Sequence, residues 1–146
     1  MVDEEARPGV PVISTSVLLL TLARKIESEL GEALSGLGLT VGRLGLLGHI
    51  AGVPGVSFSD LARMSGITVQ SVHTAVKALK TAGLVQDDTA RAGAASTITL
   101  TDEGHRTLRE AMGAVGTVDE LLFGADADPV QRRIGEAVRE AFTTTR

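Results

Sequence analysis

The sequence predicts a mainly α (α+β) chain: four helices, a β-hairpin, then two more helices. Three observations carry this. Apolar residues recur at spacings of three and four along most of the chain. Short polar residues stand ahead of the apolar runs, where they can cap a helix. Alternation with a period of two occurs only near residues 84–100. With 146 residues the chain suits one domain or one compact dimer subunit, and 43% hydrophobic against 22% charged residues is ordinary for a folded protein.

Taken in order, "PVISTSVLLLTLARKIESELGEALSGLG" places apolar residues at 19, 22, 26, 30, 34 and 37, with Pro11 suited to the start and Gly36 and Gly38 to the stop. A second helix follows, capped by Thr40 and striped by Val41, Leu44, Leu47 and Ile50, and it ends near "GVPG". Ser57 and Asp60 form an S-x-x-D start for a helix over about residues 58–65. Gly66 can take the left-handed conformation that ends it, and Thr68 caps the next, over 69–82, which buries Val72, Ala75, Val76 and Leu79. "LVQ" and "TITL" are the two strands, joined by the polar "DDTARAGAAS". Thr101 caps a long helix whose stripe is Leu108, Met112, Val115 and Leu122. Asp128 and Pro129 open the last helix, with Val130, Ile134, Val138 and Phe142 on one face.

Composition removes several functions. Cysteine is absent, which excludes disulfides, thiolate metal sites and thiol redox sensing. Trp and Tyr are absent too, so no aromatic platform exists on which single-stranded bases could stack. The acidic start "MVDEEARPGVP" is unlike a signal peptide and "VLLL" is too short for a membrane span, so a cytoplasmic location without a membrane partner is expected. Residues 1–10 are expected to be disordered. His49, His73 and His105 form no HExxH pattern, so no metal and no cofactor is expected. "GLGLTVG" at 36–42 lacks the preceding strand that a phosphate-cradling loop requires. No nucleophile, base and orienter can be assembled as a set, which argues against an enzyme.

Two capped helices joined by a short turn and followed by a hairpin describe a winged helix-turn-helix, whose second helix enters a DNA major groove. Its outward positions carry Gln70, Ser71, His73, Thr74 and Lys77, which can reach base edges or phosphates, with Lys80 beside them and Arg91 in the wing loop. Gln70 can pair with an adenine edge; Lys77 and Lys80 are either phosphate contacts or a solvated face. The net charge is −4, yet residues 57–101 hold four basic against three acidic side chains, a balance of +1 against −5 elsewhere.

"LT" at 39–40, "SDLARMSGIT" at 59–68, "LKTAGLV" at 79–85 and "LTDEG" at 100–104 resemble, in order, landmarks of the MarR family of bacterial transcription regulators. The resemblance implies a homodimer joined through helices at 11–38 and 105–146, with a winged lobe at 39–104. It also implies a pseudo-palindromic site in double-stranded DNA and a small-molecule effector held between dimer helices and lobe. The wing departs from the family pattern: it holds Arg91 as its one cation, with Asp87 and Asp88 at its base, and Thr74 and Ala78 stand where arginines are common. A winged helix that has lost DNA binding, and instead binds a protein or a ligand, is the alternative.

Gly42, Gly45 and Gly48 interrupt the second helix at a cost of roughly 1 kcal/mol each relative to alanine. Either another helix approaches closely there, or the missing side chains leave a ligand cleft around Arg43, Gly45, His49 and Met112.

Overall fold

Each helix begins where a short polar side chain satisfies its first free amides. In this computed structural model, which describes residues 14–87 and 98–144, α1 (Thr15–Ser35), α2 (Val41–Gly52), α3 (Phe58–Ser65) and α4 (Val69–Thr81) precede a hairpin of β1 (Val85–Asp87) and β2 (Ile98–Leu100). Helices α5 (Asp102–Phe123) and α6 (Pro129–Thr144) complete the order. Thr40, Ser57, Thr68 and Thr101 each accept from the amide three residues on, at 3.0–3.2 Å. Asp128 Oδ1 accepts from Val130 N at 2.8 Å and from Gln131 N at 3.3 Å. For α1 the cap is Ser14, whose Oγ accepts from Val17 N; Pro11 lies outside the described residues. Gly66 ends α3 at φ +67°, and Gly83, at φ +76°, turns the chain from α4 into β1.

The strands pair antiparallel with Val85 opposite Leu100 and Asp87 opposite Ile98. One junction fixes this hairpin to α5. Thr101 Oγ1 donates to Gly83 O at 2.6 Å, Thr101 N donates to Leu84 O at 3.0 Å, and Gly104 packs so close that an added Cβ would lie 1.9 Å from Leu84 O. The "LTDEG" stretch therefore has a mechanical reason for its Thr and its Gly.

Leu34, Leu46, Leu47, Leu61, Val72, Leu79 and Ile98 are the most deeply buried side chains, so the core lies where α2, α3, α4 and the hairpin meet the end of α1. Ala111 extends it onto α5. Farther along α5, Val118 and Leu122 are buried, and α6 packs on α5 through Gly135, where a Cβ would come 2.8 Å from that of Phe123.

Several sequence expectations need correction. The buried face of α5 runs through Thr107, Ala111, Val118 and Leu122, with Leu108 and Val115 partly buried, whereas Met112 is 55% exposed. Residue 112 follows Ala111 by 100° of helix turn, which carries it off that face. On α2, Leu46 is buried while Val41, in the exposed first turn, is 38% exposed. Close approach to the glycines is not found: a Cβ at Gly45 or Gly48 would meet nothing within 4 Å, and one at Gly42 only Thr40 Oγ1 at 4.0 Å. The stripe expected on α6 is present: Val130, Val138 and Phe142 share one face, and in the single chain that face is exposed, Phe142 to 83%. Arg91, Asp88 and residues 1–10 lie outside the described residues.

Candidate nucleic-acid interface

Helix α4 owes its position to its inner face. Val72, Val76 and Leu79 are buried against the core, so residues half a turn away must face outward. Gln70, Thr74 and Lys77 occupy that outward line at spacings of four and three, and all are exposed. His73 and Lys80, seven apart, form one flank, while Ser71 and Ala78 form the other. The capping hydrogen bonds hold the first turn in place: Thr68 Oγ1 accepts from Ser71 N and donates to Ser71 Oγ at 2.9 Å. Thr74 Oγ1 donates back to Gln70 O at 3.1 Å. His73 has a second task, since its ring meets Phe58 of α3 edge-on, with centroids 4.4 Å apart and planes at 74°. This contact braces α3 against α4.

Charge on this surface is lightly compensated. The described ion pairs are Arg63–Asp60 and Arg106–Glu103, both exposed and both within one helix. Among the described residues, Lys77, Lys80 and Arg43 have no carboxylate partner. The arrangement offers amide, hydroxyl and ammonium groups along a helix that stands out from the lobe, a set suited to base edges and phosphates.

The residues expected around an effector are not gathered into one site. Arg43 lines a groove of about 460 Å³ together with Gln70, Ser71 and Thr74. Gly45 and His49 sit farther along α2, and Met112 is exposed on α5; none of these three lines that groove. Thr40 and Ser65 do line it, although the sequence marked Thr40 only as a helix cap and neither as part of a binding site. No local signal marks them as neighbours, because they meet only through the packing of α2 on α3. A second cavity, of about 370 Å³ and mostly apolar, lies between α1, α5 and α6 and is lined by Leu22, Ile26, Phe123, Ile134 and Val138. No group of three or more acidic or histidine side chains among the described residues could hold a metal ion.

A capped helix pair, a two-stranded hairpin and an outward second helix define the winged helix-turn-helix class. Comparison with known proteins narrows the class. A model of the MarR family matches residues 37–92. The HTH-type transcriptional repressor Rv2887 of Mycobacterium tuberculosis is 30% identical over 116 residues, covering 79% of this chain and 84% of that protein. The crystal structure of the M. tuberculosis MarR family protein Rv2887 in complex with DNA has a TM-score of 0.71 at 26% identity, covering 88% of this chain and 97% of that one. Its complex with salicylic acid has a TM-score of 0.68 at 27% identity, covering 88% and 96%. The chain belongs to the MarR family of transcription regulators.

Proposed function

We propose that this regulator binds double-stranded DNA as a homodimer, one α4 in each of two successive major grooves of a pseudo-palindromic site. The observation that carries this reading is the outward line of Gln70, Thr74 and Lys77, exposed and with no carboxylate partner among the described residues, on a helix whose opposite face is buried in the core. Ser71, His73 and Lys80 flank it, and Arg91 belongs to the wing. In this reading residues 39–104 are the DNA-binding lobe, and 11–38 with 105–146 are the dimerisation helices. The exposed apolar side chains Val17–Leu20, Val130, Val138 and Phe142 supply the apolar surface that a second subunit would cover. A cytoplasmic location follows from the DNA partner. Among the described residues, no helix is long and apolar enough to cross a membrane.

Salicylic acid bound to the related M. tuberculosis protein supports a small aromatic carboxylate as effector here. It would act by favouring one spacing of the two recognition helices. The deciding experiment is selection of bound fragments from genomic DNA by the purified protein, followed by titration of the recovered duplex at several salt concentrations. Enrichment of a sequence with two-fold symmetry, bound with steep salt dependence, is expected. Failure to bind any duplex at low salt would replace this reading with that of a winged helix serving a protein or ligand partner.

A further inference from the structure

The wing sequence is poor in cations, yet the lobe carries another cationic feature beside α4. The 460 Å³ groove runs between the first turn of α2, the end of α3 and α4 from its first turn to Ala78, and no described residue lining it is acidic. Arg43 brings a guanidinium with no carboxylate partner among the described residues. The hydroxyls there have protons to spare. Thr40 Oγ1 accepts from Arg43 N, Ser71 Oγ accepts from Thr68, and neither donates to another described group. Ser65 Oγ, also on the groove wall, is shielded from solvent and has no hydrogen-bond partner. Residues of the first turns of α2 and α4, the positive ends of both helices, line this groove and add to its preference for an anion.

We propose that the groove seats a phosphodiester of the DNA backbone, with Arg43 neutralising its charge and the Thr40 and Ser71 hydroxyls donating to its oxygens. The assignment rests on the DNA-binding reading: Gln70 and Thr74 belong both to the groove wall and to the outward line of α4, so a duplex lying on that line brings its backbone to the groove. Contacts of this kind fix register and affinity without reading sequence. Arg43 thus takes over part of the electrostatic work that an arginine-rich wing would otherwise do.

The test measures duplex binding by fluorescence anisotropy across a salt series for the wild type, Arg43→Gln and Arg43→Lys. Loss of one phosphate contact per subunit lowers the slope of log affinity against log salt by about 0.9, hence by about 1.8 for a symmetric dimer. The expected result is that Arg43→Gln shows this drop equally on specific and unrelated duplexes, while Arg43→Lys keeps the wild-type slope. Circular dichroism should show unchanged folding, because Arg43 is partly exposed and has no ion-pair partner among the described residues. A wild-type slope for Arg43→Gln would overturn the phosphate assignment while leaving DNA binding by α4 standing. Should that variant also lose thermal stabilisation by salicylate, the groove holds a small carboxylate instead, and the assignment falls. Absence of duplex binding by the wild type at low salt would overturn both readings together.

Discussion

At position 104 even a methyl group has nowhere to go, because it would press on the backbone carbonyl of Leu84 rather than on a side chain that could turn aside. Gly104→Ala is therefore expected to destabilise the protein by about 2–3 kcal/mol, the upper range for overpacking, measured as a lower denaturant midpoint. Gly45 is the opposite case. A Cβ there meets open space inside a regular helix, so Gly45→Ala should stabilise by up to about 1 kcal/mol and raise the melting temperature by a few degrees. A fall in melting temperature instead would show that a neighbouring subunit packs against the glycine face. Two glycines that look alike in sequence thus have opposite forecasts, and only the position of other backbone tells them apart.

At the scale of the element, α4 divides its chemistry by face. Lys77→Ala should weaken binding to all duplexes about equally and reduce the salt slope, the mark of a phosphate contact. Gln70→Ala should relax preference at one base position in each half-site, changing discrimination by about 1–3 kcal/mol if the contact is bidentate. Competition assays with single-base variants of the selected site separate these outcomes. The outward line of α4 was legible in the sequence because Thr68, Gly66 and the valine–leucine spacing fix where the helix starts and how it is rotated. The same held for Thr40, Ser57, Thr101 and Asp128, whose capping is local chemistry between residues two or three apart. Phase along the 22-residue α5 was harder to read. Ala111, small and weakly hydrophobic, is the buried residue, while the more conspicuous Met112 beside it points off the face. The sequence offered a cleft at Arg43 but with the wrong neighbours, since Thr40, Ser65 and Ser71 join it only when α2, α3 and α4 pack.

For the whole molecule, the distribution of apolar surface matters more than its total. The lobe buries most of its large apolar side chains and leaves Val41, Val53, Met64, Ile67 and Val69 only about 40% exposed, whereas α1 and α6 expose Val17–Leu20, Val138 and Phe142 more fully, with Leu19 and Val138 at the edge of the apolar cavity between α1, α5 and α6. In the proposed dimer a second copy would cover that surface, which is otherwise costly to expose. Val138→Asp should shift sedimentation from dimer to monomer or aggregate and make thermal stability low at every concentration, while the wild type melts higher as its concentration rises. A wild type that sediments as a well-folded monomer at micromolar concentration would contradict the dimer. The junction of Thr101 and Gly104 with Gly83 and Leu84 has a further effect at this scale. Because hydroxyl, amide and bare Cα all meet the same two residues, the hairpin is tied to the start of α5, and α5 would carry a tilt of its far end to the hairpin as a lever about 33 Å long. Tilting that lever by about 5° at its far end would swing the wing end by about 3 Å, which is on the scale of the rise between stacked base pairs. Gearing of this kind would let a small adjustment among the terminal helices disengage the protein from its track without any bending in the lobe itself.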